Sequence, residues 1–71
     1  MRFKGTIGLT SANNYTINGT EAEFPSKTAK VGDTYRVVIS GMYDGKLCEV
    51  GDLLICITAD STGKNTAWTV V

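Results

Sequence analysis

Short segments in which apolar and polar residues alternate recur along the chain and predict β-strands. In residues 2–7, Phe3 and Ile7 fall on one face, and Arg2, Lys4 and Thr6 fall on the other. Residues 34–40 alternate more cleanly. No window shows the i, i+3, i+4, i+7 spacing of apolar side chains that an amphipathic helix requires.

Two further segments complete the predicted sheet. Residues 53–57 are apolar on both faces, which favours a central strand covered from two sides. Residues 68–71 form a final strand with its larger side chains on one face. The apolar faces of all these strands define the expected core, which comprises Phe3, Tyr35, Val37, Ile39, Leu53, Ile55, Ile57, Trp68 and Val70.

The pattern as a whole predicts an all-β chain. With 71 residues there is room for one domain only, spanning 1–71. We expect a small antiparallel β-sandwich or barrel-like module of about five to six short strands. Residues 10–20 are mostly polar, and Tyr15 and Ile17 there predict a short edge strand.

The connections carry their own signals. Asp44 and Gly45 form a two-residue hairpin signal, because a type I′ turn needs positive φ at both central positions. The tripeptide Val-Gly-Asp occurs at 31–33 and again at 50–52, each time before a predicted strand. This repetition predicts two copies of one turn.

In each copy of the turn, the glycine should supply a backbone angle that other residues avoid. We expect Gly32 and Gly51 in this role, and the carboxylates of Asp33 and Asp52 accepting hydrogen bonds from backbone N–H groups. The valines are expected to pack onto the core. A catalytic carboxylate pair or a cation site is the less favoured interpretation, because no dense acidic cluster accompanies these residues.

Composition removes several classes of function. The net charge is zero and histidine is absent, so neither the basic surface for nucleic acid nor the commonest general base and metal ligand is present. We therefore expect no enzyme, no metal, no cofactor and no nucleic-acid partner. Residues 53–57 form the longest apolar run, too short for a membrane span. No secretory signal follows Met1, which predicts synthesis in the cytoplasm and reduced thiols at Cys48 and Cys56.

The aromatic side chains allow two interpretations. Tyr35 and Trp68 lie on the apolar faces of alternating strands, which favours a place in the core. Tyr43, beside the hairpin turn, and Tyr15 are the candidates for exposed contacts. Exposed rings of this kind would suit a carbohydrate-binding module, in which aromatic faces stack on sugars.

The size of the chain indicates how it is stabilised. A domain this short buries only about 60% of its unfolded surface, and its stability is correspondingly small. Two cysteines allow at most one disulfide. Oligomerisation or docking on a larger body is therefore the expected source of additional stability.

Several segments, taken in order, resemble the small β-module of tailed-phage virion structural proteins. They are AKVGDTYRV at 29–37, GMYDGKLCEVGDLLI at 41–55 and WTVV at 68–71, with FKGTIG at 3–8 and FPS at 24–26 also similar. The resemblance covers nearly the whole chain. Residues 9–23 depart from it, being longer and richer in asparagine than is usual there.

The resemblance implies a structural role in a virion, as a head-fibre, tail-fibre or capsid-decoration module without enzymatic activity. Its expected partners are further copies of itself, as a homotrimer or other homo-oligomer, and phage capsid or fibre proteins. The expected location is the virion surface, after synthesis in the bacterial host cytoplasm. A carbohydrate-binding adhesion module that contacts host surface glycans is the alternative, and a small phage hydrolase or inhibitor is least favoured.

Overall fold

Eight β-strands and no helix make up the chain in a computed structural model that describes residues 1–71. The predicted all-β class is therefore confirmed. The strands are β1 (Arg2–Ser11), β2 (Asn14–Ile17), β3 (Thr20–Ala22), β4 (Asp33–Val37), β5 (Gly41–Tyr43), β6 (Lys46–Cys48), β7 (Leu53–Thr58) and β8 (Ala67–Val70).

Six of the strands form one sheet in the order β3-β2-β1-β4-β7-β8, and β5 and β6 form a separate hairpin. The sheet is mixed rather than purely antiparallel, because β1 and β4 run parallel. The reason is the long connection after β3, which returns the chain to the far side of β1. The strand at Tyr15 and Ile17 is not an edge strand, since β2 lies between β1 and β3.

A β-bulge in β1 decides which side chains of that strand face the core. The register against β4 shifts between Phe3 and Gly5, and Gly5 has a φ of +122°. Phe3 pairs with Thr34 on the outward face, whereas Ile7 pairs with Val37 on the core face. The expectation that Phe3 belongs to the core is therefore wrong, because the extra residue reverses the alternation ahead of it.

The side chain of Asn18 holds this bulge in place. Its Oδ1 accepts a hydrogen bond from the Thr6 N–H at 3.1 Å, and its Nδ2 donates to the Lys4 carbonyl at 3.3 Å. A Cβ on Gly5 would stand 1.9 Å from Asn18 Oδ1. The bulge therefore requires glycine for its backbone angle and for the space that Asn18 fills.

Five aromatic rings form a continuous row through the core. Consecutive centroids lie 5.8, 5.1, 5.5 and 5.9 Å apart, in tilted and edge-on arrangements. The row runs Tyr43, Tyr15, Phe24, Trp68, Tyr35. Tyr15, Tyr35 and Trp68 belong to the six-stranded sheet, Tyr43 belongs to the β5–β6 hairpin, and Phe24 lies in the connection after β3.

Tyr43 is buried at one end of this row, so its predicted role as an exposed contact is wrong. Its hydroxyl donates to the Ile39 carbonyl at 2.6 Å and accepts from the Leu9 N–H at 2.7 Å. Tyr15 is half-buried against the core, and it is equally unsuited to an exposed platform. Proximity to a tight turn predicted exposure, but the side chain points back beneath the sheet.

Strand β7 lies between β4 and the edge strand β8, and its core-facing residues are those that the prediction assigned to the opposite face. Leu54 and Cys56 are buried, and Ile57 is exposed. Leu53 and Ile55 are only half-buried. A strand that is apolar on both faces does not reveal its inward face from periodicity.

Ile39 is exposed as well, because β4 ends at Val37 and the alternation does not continue to residue 39. Tyr35, Val37 and Trp68 lie in the core, with Val70 half-buried against it.

Replacing Gly5 should destabilise the protein by more than the backbone strain of its positive φ alone would. Gly5→Ala combines an unfavourable φ with a clash against Asn18 and should lower the free energy of unfolding by about 2 kcal/mol or more. Gly19→Ala is the matched control, since Gly19 also has positive φ but has open space around its Cβ position. Urea unfolding measures both, and equal losses would contradict this role for the Asn18 contact.

Removing the Tyr43 hydroxyl should also weaken the fold. Tyr43→Phe keeps the ring but leaves the Leu9 N–H and the Ile39 carbonyl without their partner, at a cost of about 1–3 kcal/mol. Tyr15→Phe is the control, because the Tyr15 ring lies in the same row and no hydrogen bond of its hydroxyl is found. Thermal and urea unfolding should separate the two variants, and similar stabilities would contradict the bridging role.

Candidate docking surfaces

One face of the six-stranded sheet points away from the core and carries large apolar side chains. We call it the outer sheet face, defined by Phe3, Arg36, Leu53, Ile55 and Ile57. Phe3 is 64% exposed and Ile57 is 52% exposed. Five of the six aromatic rings belong to the core row, and Phe3 alone lies outside it.

The middle of the outer sheet face is tightly covered by its own side chains. Thr34 lies between Phe3 and Ile55 in one cross-strand row. Although it points outward, it is only 1% exposed, and its hydroxyl donates to the Gly32 carbonyl at 3.0 Å. The polar atom of Thr34 is thus satisfied internally, and Phe3 and Ile55 flank it with apolar surface.

Arg36 supplies a positive charge on the outer sheet face. It lies in the next cross-strand row, between Thr6 and Leu53. The chain has one ion pair, from Arg2 Nε to Asp33 Oδ1 at 2.9 Å, so Arg36 has no carboxylate partner. These two rows contain no acidic side chain.

The two Val-Gly-Asp turns have the same backbone and hydrogen-bond geometry. Gly32 and Gly51 have φ of +95° and +96°. Asp33 Oδ2 accepts from the Lys30 N–H at 3.0 Å, and Asp52 Oδ2 accepts from the Glu49 N–H at 2.8 Å. The glycines and aspartates thus make the predicted kinds of contact.

The valines of these turns do not pack onto the core as expected. Val31 and Val50 are both exposed. The turn is held by its glycine angle and its aspartate hydrogen bond, so it does not depend on an apolar anchor.

Asp33 is held as a carboxylate by its neighbours. Burial opposes ionisation, but the Lys30 N–H and the Arg2 guanidinium together outweigh it and keep the pKa of Asp33 below its ordinary value. Arg2 binds one carboxylate oxygen and the Lys30 N–H the other. Both oxygens are therefore engaged in a structural contact, which disfavours Asp33 as a general acid or base.

A second exposed apolar surface lies on the β5–β6 hairpin. Asp44 and Gly45 have φ of +52° and +75°, as the predicted type I′ turn requires. Met42 and Leu47 are cross-strand partners and are 50% and 71% exposed. We call this pair the hairpin face.

A pocket of about 350 Å³ opens between residues 22–28 and the ring of Tyr35. Ile17 and Phe24 contribute apolar walls to the pocket. Glu23 and Lys27 also line it, and their side chains carry opposite charges. Burial raises the pKa of Tyr35, and the negative potential of Asp33 and Cys56 adds to the effect. The raised pKa keeps the Tyr35 hydroxyl un-ionised.

The remaining reactive groups do not form a site. Cys48 and Cys56 are free and buried, and burial raises the pKa of both thiols, which disfavours the nucleophilic thiolate. In the loop after β7, Asp60 accepts hydrogen bonds from Thr62 and Asn65, which lower its pKa. No group of three or more metal-ligating side chains occurs.

Sequence reasoning missed two features that shape these surfaces. The Asn18–Gly19 dipeptide is a strong hairpin signal, and it closes the β2–β3 turn with φ of +54° and +79°. The exposed Met42–Leu47 pair was also missed. Counting outward from the predicted Asp44–Gly45 turn would have made them partners, because a two-residue turn fixes the register.

Comparisons with protein-family models, curated proteins and solved structures returned no match. No helix in the chain is long and apolar enough to cross a membrane.

The Asp33 contact predicts a specific pH dependence of stability. Because the folded-state pKa lies below the unfolded value of about 3.9, the stabilisation is complete above that value. It is lost as the pH falls through the lower folded-state value. Asp33→Asn should remove this acid-sensitive component and lower the stability at pH 7 by about 1–3 kcal/mol.

Arg2→Gln tests the cause, since it removes the cation but leaves the Lys30 N–H in place. It should reduce the same acid-sensitive component in urea unfolding curves measured across the acid range. Curves for both variants that parallel the wild type would contradict this account of Asp33.

Proposed function

We propose that the chain is a structural module of a phage virion surface, of the head-fibre or capsid-decoration type. It acts by associating with copies of itself and by docking on the particle, and it has no catalytic role. The observation that carries the proposal is the outer sheet face, where Phe3 and Ile57 remain exposed although the core has a complete aromatic row.

The energetic argument concerns apolar surface that the isolated chain leaves in water. Burying a side chain the size of phenylalanine or isoleucine is worth about 1.5–3 kcal/mol. That is a large fraction of the stability available to a domain of 71 residues. A partner that covers Phe3 and Ile57 would therefore stabilise the fold and the assembly together.

The charge balance favours a protein partner over a nucleic acid. The chain has no net charge, so closely packed copies repel one another little. Arg36 is a single cation among threonine and apolar side chains, rather than part of a basic stripe. Binding to phosphates would require many such cations on one surface.

The resemblance to virion proteins supports the choice of assembly. The similar segments correspond to connected parts of the fold: 29–37 includes the first Val-Gly-Asp turn and β4, and 41–55 includes the hairpin, the second turn and the start of β7. Residues 68–71 include most of β8. Residues 9–23, which depart from the resemblance, include the end of β1 and the strands β2 and β3 at one side of the sheet.

Self-association should depend on the outer sheet face. Size-exclusion chromatography with light scattering over a range of concentrations should detect a homo-oligomer of the wild type. Ile57→Lys should shift the population towards monomer, because it places a charge on the apolar surface. Ala12→Lys is the matched control, since it adds the same charge in the turn that follows β1, at the opposite end of that strand from Phe3.

The place in the virion needs a separate measurement. An antibody against the chain should label purified particles of the encoding phage in electron micrographs. A wild type that stays monomeric at all concentrations and is absent from purified particles would contradict the proposal.

A further inference from the structure

Asn18 is the asparagine of this chain whose sequence context most favours spontaneous deamidation. The reaction begins when the backbone nitrogen of the next residue attacks the side-chain amide carbon, so a bulky next residue hinders it. Glycine has no Cβ and offers the least hindrance. Asn18 precedes Gly19, whereas the other asparagines precede Asn14, Tyr15 and Thr66. In the unfolded chain, Asn18 should therefore react before the others.

In the folded chain, the Asn18 amide is engaged by β1 instead. Its Oδ1 accepts from the Thr6 N–H at 3.1 Å, and its Nδ2 donates to the Lys4 carbonyl at 3.3 Å. The main-chain N–H of Asn18 donates to the Thr6 carbonyl at 3.0 Å, which holds the residue beside the same strand. Attack by the Gly19 nitrogen needs the side chain folded back onto its own main chain. To reach that position, the amide must leave its two partners on β1.

We propose that Asn18 is a deamidation site that folding protects, and that its modification prevents the β1 bulge from forming again. The reaction starts from a chain that is unfolded or locally opened at the β2–β3 turn. The Gly19 nitrogen loses its proton to hydroxide and bonds to Asn18 Cγ, and Nδ2 takes a proton from water and leaves as ammonia. Water then opens the cyclic imide at either carbonyl, which gives aspartate or isoaspartate. The net reaction consumes water and releases ammonia, and no group is oxidised or reduced.

Neither product can restore the contacts of the bulge. An ionised aspartate has acceptors only, so an oxygen would face the Lys4 carbonyl in the place from which Nδ2 donates. An isoaspartate carries the main chain through its Cβ, which adds one atom to the turn between Ile17 and Thr20. Those two residues are cross-strand partners, and the length of the turn fixes their register.

Deamidation of Asn18 makes unfolding irreversible. A chain that opens either refolds or deamidates, and a deamidated chain lacks the contacts that hold the bulge between Phe3 and Ile7. The lifetime of the folded protein then depends on how often the turn opens, as well as on the free energy of unfolding. This inference concerns the chain itself and does not depend on the proposed function.

Peptide mapping by mass spectrometry tests the protection. The full chain is incubated in a mildly alkaline buffer with and without urea, and the deamidated fraction at each asparagine is followed with time. In urea, Asn18 should be modified first. In buffer, its rate should fall by about tenfold or more, because the reaction must wait for a local opening. Equal rates in the two conditions would overturn the protection, and earlier modification of another asparagine in urea would overturn the choice of site.

Gly5→Ala tests whether the bulge contacts themselves give the protection. The added Cβ would stand 1.9 Å from Asn18 Oδ1, so the amide is displaced. In buffer, this variant should deamidate at Asn18 several-fold faster than Tyr43→Phe, which weakens the fold through Leu9 and Ile39 instead. Circular dichroism checks that both variants are folded. Equal rates would show that deamidation follows global stability alone, and they would overturn the role of the bulge contacts.

A substituted chain tests the effect of the product, and it does so even if Gly5→Ala fails to fold. Asn18→Asp reproduces the aspartate product and should unfold at a lower urea concentration than the wild type. Asn13→Asp is the matched control, since it makes the same change at another position of positive φ, where no hydrogen bond of the side chain is found. Equal urea midpoints for the two variants would overturn the claim that the product cannot restore the bulge.

Discussion

The Tyr43 hydroxyl joins the two layers of the molecule. It binds the Leu9 N–H of the sheet and the Ile39 carbonyl of the segment that leads into the hairpin. With these bonds in place, the Tyr43 ring closes one end of the aromatic row, and the hairpin covers the core. The orientation of Met42 and Leu47 follows from strand alternation: with Tyr43 of β5 and Cys48 of β6 in the core, their neighbours Met42 and Leu47 point outward.

Local features of the fold could be predicted from the sequence, and features set by distant partners could not. Asp44 and Gly45 and the two Gly-Asp pairs define turns through backbone angles and short-range hydrogen bonds, which neighbouring residues determine. The inward face of β7 depends on β4 and β8 at its sides. The position of Phe3 depends on a bulge that Asn18, fifteen residues later, helps to hold.

The candidate surfaces also depend on distant residues, and the sequence alone did not predict them. Sequence reasoning placed Phe3 and Ile57 in the core because they are large and apolar, yet both belong to the outer sheet face and are exposed. Tyr43 was expected outside and is buried. The hydrophobicity of a side chain shows that its burial is favourable. It does not show whether the side chain is buried by other residues of the same chain or by a partner.

The parallel pairing of β1 with β4 has a consequence for synthesis on the ribosome. Arg2 is aligned with Asp33, and Ile7 with Val37. Strand β1 can therefore pair with β4 only after residues 33–37 have left the exit tunnel. Until then, β1 has only β2 as a neighbour, and β3 pairs with the far side of β2. The nascent chain therefore carries an unpaired strand edge for a time, and closure of this long loop has an entropic cost that the local β1–β2 and β2–β3 pairings avoid.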